Sequence, residues 1–315
     1  MSHAFSGVIG HEAQTAYLQA ILDAGRISHA YCFSGSRSLG KGTIARRFAA
    51  AAAGIDPERL QASPDIFVVD LPTDEKTGEL KSIIPVEAIR SLREQLQLSS
   101  FGSAYKVAII EHADRMNVQA QNALLKTLEE PRSGTLIILL AQSPERLLPT
   151  ILSRVVHLRF PLVPREAICH ALREKGLDQN MAHETAGLAA GRPGEAIRLL
   201  DAEYKDGVVG ALEQMASLRS LPIAEAMARA EAMAKQESRR DLQQMLGFLT
   251  QTVHDELLAV SGGEAWMARS SIQPRGDIQK IARSLRAIED VRRAIDQNVA
   301  AGTALEHIIL ESSSL

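Results

Sequence analysis

One segment constrains the chain more than any other: Gly35-Ser36-Arg37-Ser38-Leu39-Gly40-Lys41-Gly42-Thr43, set between a short apolar run at 30–33 and a helical stretch at 42–53. A glycine-rich loop in that setting lets backbone N–H groups curl around phosphate, and the helix N-terminus adds partial positive charge. The spacing of Gly35, Gly40 and Lys41 fits a P-loop, which commits this part of the chain to a strand–loop–helix unit. The pattern fails at its last place. A Ser or Thr there would hold a magnesium ion, and the residue is Gly42. Thr43 comes one position late, and one step along a helix turns a side chain by about 100°, so its hydroxyl is expected to face away from the metal.

The rest of the first half repeats the same alternation. Runs at 30–33, 66–71, 107–111, 135–141 and 155–160 are short, rich in branched residues and nearly continuous in apolar character, as strands covered on both faces should be. Helical stretches at 42–53, 85–98, 117–130 and 144–152 lie between them. Such alternation predicts a parallel sheet with helices on both faces. After Phe160 the strand-like runs stop. Pro161 and Pro164 break the chain, three short helices are expected from 165 to 200 with breaks at Gly176 and at 191–194, and the remainder reads as helical. Apolar residues at Ile281, Leu285, Ile288, Val291 and Ile295 make one amphipathic face.

The composition narrows the function classes. A formal net charge of -3 and 4% aromatics argue against a polyanion-binding domain or a platform of stacked bases. Two cysteines, Cys32 and Cys169, are too few for a disulfide framework or a cysteine-rich zinc site. No run reaches the ~18 apolar residues of a membrane span, and the first residues, Met1-Ser2-His3-Ala4-Phe5, lack signal-peptide character; a cytoplasmic protein is expected. His11-Glu12 and His183-Glu184 have no second histidine four residues on, so neither forms a zinc-protease helix. Met215, Met227, Met233 and Met245 read as core filler, and Arg239-Arg240 and Arg292-Arg293 as solvated helix faces.

The second element of a nucleotide site would be the strand at 107–111. P-loop enzymes hold the metal with an Asp at such a strand end, and the larger ATPases follow it with a Glu that activates water. Here the two positions are Glu111 and His112. Glu111 is a methylene longer than Asp and a poorer metal holder; His112, with a reference pKa of about 6.5, is either a base or a polar strand-end residue.

Several stretches then resemble the bacterial clamp-loader AAA+ family. These are Ser28-His29-Ala30-Tyr31-Cys32-Phe33-Ser34-Gly35, Gly40-Lys41, the run from Gln121 through Asn122-Ala123-Leu124-Leu125-Lys126-Thr127-Leu128-Glu129-Glu130 to Pro131, and Leu148-Pro149-Thr150-Ile151-Leu152-Ser153-Arg154. The likeness is dense over about 5–160 and architectural beyond. It implies three parts: a RecA-like P-loop AAA+ domain at 1–162, a small helical lid at 163–203, and an all-α collar domain at 204–315. It also implies a place in a DNA-directed DNA polymerase complex, beside clamp-loader subunits of the gamma/tau and delta types in a hetero-oligomeric ring. The sliding clamp and primed DNA are reached through that complex, with no membrane.

Motor members of the family would carry Ser or Thr at 42, Asp-Glu at 111–112, a polar sensor near 141–142 and an arginine in the lid. This chain has Gly42, Glu111-His112, Ala141-Gln142 and, in Gly191-Arg192-Pro193-Gly194, a glycine at the lid position. The departures run in one direction and point to a non-hydrolysing member. The family's four-cysteine zinc module has no counterpart at 54–63, so zinc is not expected, and no cofactor is required; ATP, ADP or phosphate in the altered loop stays open. Arg154 occupies the position from which, by the resemblance, an arginine finger reaches a neighbour's nucleotide; otherwise it is a surface salt-bridge arginine. The alternatives are an autonomous ATPase using Lys41, Glu111 and His112, and a P-loop adaptor unrelated to replication.

Overall fold

The computed structural model describes residues 4–73, 81–100, 102–218, 225, 228–229, 231–232, 239–261 and 278–296. Five strands, β1 (Ala30–Ser34), β2 (Ile66–Val69), β3 (Lys106–Ile110), β4 (Thr135–Ala141) and β5 (Val156–Arg159), form one parallel sheet in the order β2-β3-β4-β1-β5. Strands β1, β3 and β4 lie inside the sheet and are buried along their whole length. The runs at 66–71 and 155–160 correspond to the two edges, and there the expectation of continuous burial fails. Both are shorter than their apolar runs, and β5 alternates half-buried and exposed residues because an edge is covered on one side only.

Alternate residues of each strand enter different cores, as the two-residue repeat of a strand requires. On one face Tyr31, Phe33, Val107, Ile109, Ile138 and Leu140 pack with α1 (Glu12–Asp23) and α2 (Lys41–Ala53). Tyr31 meets Phe48 of α2 edge-on, with ring centroids 5.2 Å apart. The alanines Ala49, Ala50, Ala52 and Ala53 are buried, so α2 lies close to its neighbours. On the other face Cys32, Ala108, Ile110, Ile137 and Leu139 pack with α3 (Val86–Gln97), α4 (Val118–Glu129) and α5 (Pro149–Leu152).

Local signals account for the helix ends. The Asn117 side chain accepts the Ala120 N–H at 2.8 Å to start α4, and Gly54, at φ 72°, closes α2 in the left-handed conformation. The single helix expected at 144–152 is instead a 3-10 turn, Pro144–Arg146, followed by the one-turn α5. Pro149 has no N–H to give and pushes Leu148 into an extended conformation, ψ 139°, which interrupts the helix. Helix α1 was not anticipated; it begins after His11, which stands at φ 63° and offers no side-chain cap. At 54–63 a 3-10 turn, Pro57–Ala62, is capped by Asp56, which accepts the Glu58 N–H at 3.0 Å.

Contacts divide the chain into two compact units: Met1–Ile168 with Arg192–Gly194, and Cys169–Gly191 with Glu195–Leu315. Helices α6 (Arg165–Glu174), α7 (Gln179–Ala189) and α8 (Pro193–Arg198) follow the sheet, with breaks where Gly176 and Gly191 were read. In the second unit the helices Arg239–Val260 and Ile278–Asp296 pack on each other, with Ile281, Ile288 and Val291 buried. The structural readings at Pro222, Gly262-Gly263, Pro274 and the serines 312–314, and those on the side chains of Met215, Met227, Met233, Met245, Arg239-Arg240, Arg292-Arg293 and Ile295, lie outside the described residues. Among the described residues no helix is long and apolar enough to cross a membrane.

Candidate functional site

Because the sheet is parallel, the C-terminal ends of β1, β3 and β4 open on one edge, where α/β folds bind their ligands. The P-loop follows β1 there. Gly35, at φ 145°, passes so close to the chain after β5 that a Cβ would lie 2.3 Å from the Phe160 carbonyl oxygen; only glycine fits. Gly40, at φ 87°, turns the chain into α2. Lys41 is buried, and its Nζ donates to the Gly35 and Ser36 carbonyls, 2.6 Å each. Burial pushes its pKa down to about 8, against the opposing attraction of Asp114 and Glu111.

The place of the missing hydroxyl faces the tip of the Arg46 side chain. A Cβ at Gly42 would lie 2.8 Å from Arg46 Nη1 and 3.6 Å from Glu111 Oε1. Arg46 stands one turn further along α2, and its Nη2 binds Glu111 Oε1 at 2.6 Å. The carboxylate that would hold the metal thus holds a guanidinium, and the residues do not fit a magnesium ion. Thr43 is exposed. His112, at φ 49°, pairs through Nδ1 with Asp70 Oδ1 at 2.7 Å. That contact directs it to the end of β2, on the far side of β3 from the P-loop, so the strand-end reading fits it better than the catalytic base.

Gly35, Gly40, Lys41, Gly42 and Glu111 therefore come together, whereas Thr43, His112 and Arg154 stand apart from them. Arg154 follows α5. Its Nη1 donates to the Thr150 carbonyl at 2.9 Å and to Ser153 Oγ at 3.2 Å, and its Nη2 meets Glu129 Oε1 at 2.9 Å. The two side chains are 37% and 48% exposed, so the ion pair contributes little and is open to exchange for another anion. The platform beneath is firmer. Buried Gln121 of α4 donates to the Met116 and Arg146 carbonyls, 3.1 Å each, and accepts the Leu148 N–H at 2.7 Å, fixing the segment that carries Arg154.

Among further contributors, Asp114 was not singled out from the sequence, whereas His11 was read only against a zinc-protease pattern and Gly194 only as the lid position. Asp114 is buried and accepts the N–H groups of Gln142 and Ser143 at 3.3 and 3.2 Å, tying the end of β4 to the turn after β3. His11 places Nε2 2.9 Å from the Leu39 carbonyl. A carbonyl only accepts, so Nε2 carries the proton, and burial lowers the pKa of the ring. Gly194 donates its N–H to the Ser38 carbonyl at 2.7 Å, and a Cβ there would lie 2.9 Å from that same oxygen. No side chain, arginine included, enters position 194 unless Ser38 moves.

Residues 10–164 match the family described as DNA polymerase III, delta subunit. The chain is similar to DNA polymerase III subunit tau of Escherichia coli (strain K12), at 31% identity over 252 residues, 75% of this chain and 39% of the relative. It is also similar to the DNA polymerase III subunit delta' of Pseudomonas aeruginosa, at 34% identity over 63% of this chain and 65% of the relative. The delta' subunit of Bacillus subtilis is 32% identical over 53% of this chain and 52% of its own. The chain spans less than two fifths of the tau and gamma/tau relatives, 39% and 36% of their length. A crystal structure of a DNA polymerase III gamma subunit-related protein of Thermotoga maritima has the same fold, with a TM-score of 0.52, 17% identity and coverage of 94% and 98% of the two chains.

Proposed function

Since residues 10–164 match the DNA polymerase III delta-subunit family, we propose that the chain is a delta'-like clamp-loader subunit that hydrolyses no ATP and supplies Arg154 to a neighbouring subunit's nucleotide. The observation that carries this reading is the Arg46–Glu111 pair lying over Gly42. A hydrolytic P-loop needs a divalent ion between those positions to neutralise charge on the transferred phosphoryl group, and here the Arg46 guanidinium is paired with its ligand.

Arg154 offers what the home site lacks. It is a permanently charged planar fork, half-exposed beyond a buried hydrogen-bonded platform, and its protein partners are a weak surface carboxylate and local oxygens. An arginine reaching a transferring phosphoryl group from another subunit raises turnover by about 10³ to 10⁵. In this role the chain acts as a stator: gamma/tau-type subunits hydrolyse ATP, and the assembly opens a sliding clamp and places it on primed DNA.

The test is a reconstituted clamp loader containing Arg154→Ala. Clamp- and DNA-stimulated ATP hydrolysis at the adjoining site should fall by about 10³ or more, while the melting temperature of the isolated chain hardly moves. Unchanged ATPase would sink the arginine assignment. ATP turnover by the isolated chain that disappears in Lys41→Ala would make it an autonomous motor instead.

A further inference from the structure

The Arg46–Glu111 pair also bears on what the P-loop still does. The parts that grip phosphate are intact: Gly35 and Gly40 hold the loop in conformations that only glycine adopts easily, α2 opens at the loop, and Lys41 points into it. The parts that grip a metal are replaced as a set. The hydroxyl position is Gly42, the carboxylate is Glu111, and both face one guanidinium. Arg46 Nη2 is engaged by Glu111 and Nη1 stands over Gly42, while the side chain is 41% exposed and so reachable from solvent.

A divalent ion in a P-loop bridges the terminal phosphate oxygens and neutralises them. A guanidinium neutralises the same charge through directed N–H donors and needs no ion to be captured. We propose that the P-loop binds a nucleoside polyphosphate without a divalent cation, Arg46 standing in the metal's place beside Glu111. This deepens the reading of the chain as a non-hydrolysing subunit: a nucleotide held by Lys41 and Arg46 has no metal-activated path to hydrolysis and serves as a structural ligand between the loop and its surroundings.

Titration of the chain with ADP, by calorimetry in magnesium and in EDTA, tests it. The dissociation constants should agree within about twofold, and Arg46→Ala should weaken binding by about tenfold, equivalent to about 1.4 kcal/mol. Should Arg46→Ala fail to fold, Arg46→Gln keeps most of the stem and gives the same reading. Binding that requires magnesium overturns the proposal, and so does absence of ADP binding by protein with an intact melting transition. Neither result touches the role of Arg154, which is measured on the neighbour's ATPase, so the two readings fail separately.

Discussion

Lys41 gives the sharpest physical prediction. Its ammonium is buried and its pKa is pushed down to about 8 from a reference value of 10.5. The folded pKa lies below the unfolded one, so between those values the unfolded chain binds more protons and stability rises with pH. One pKa unit corresponds to about 1.4 kcal/mol, which sets the full effect at about 3 kcal/mol. About 2.5 kcal/mol of it falls between about pH 7 and about pH 10.

Lys41→Met keeps the unbranched stem and removes the charge. At neutral pH its net effect should be small, because relief from charge burial offsets the two lost bonds to Gly35 and Ser36, each worth about 1.5–3 kcal/mol. The slope is the discriminating quantity. Cys32 acts in the opposite sense: burial pushes its thiol up to about 12, so the folded chain holds that proton longer and stability falls as pH rises above 9.0. Lys41 opposes that shift, so its removal pushes the thiol further up, but the folded thiol keeps its proton to about pH 10 in both proteins and the contribution to the slope nearly cancels. Denaturant unfolding of both at about pH 7 and about pH 10 should show the natural chain gaining about 2–3 kcal/mol relative to the variant. Parallel pH dependences would refute the reasoning and place the ammonium in a better-solvated setting.

Two further substitutions probe the loop's surroundings. Gly35→Ala forces a Cβ to 2.3 Å from the Phe160 carbonyl oxygen at φ 145°, and should cost at least about 3 kcal/mol, read as a lowered thermal midpoint; an unchanged midpoint would mean that the chain after β5 moves freely. Asp114→Ala leaves the Gln142 and Ser143 N–H groups without their acceptor, at about 1–3 kcal/mol for each buried group, and should speed amide exchange at those two positions above all others near β4.

The sheet was legible because its strands are buried: apolar runs bounded by helical stretches located all five, and only the edges came out shorter than read. The helix at 144–152 was over-read because apolar spacing outweighed Pro149. Helix α1 was missed because its start has no Ser, Thr, Asp or Asn cap, only His11 in a left-handed conformation. At the site, Gly42 and Glu111 were visible as departures from a pattern, whereas the meaning of Arg46 needed the fold. Its partner lies 65 residues away, just past the end of β3. The signal within reach was its spacing, four residues after Gly42 and so on the same helix face. Asp114 was hidden for the same reason, since the amides it accepts are 28 and 29 residues distant.

The division of the interior into two cores has an evolutionary reading. Helix α2, which begins at the P-loop, is seated in the core it shares with α1, whereas α4 and α5, which carry Arg154, are seated in the core across the sheet. Residues without shared partners tolerate change almost independently. Under the role proposed for Arg154, changes around the home nucleotide loop need not disturb the arginine, because the repacking that follows one change need not reach the other. For a chain with the role proposed above, a fold built on two interiors would let the home nucleotide site decay while the surface that presents Arg154 is kept.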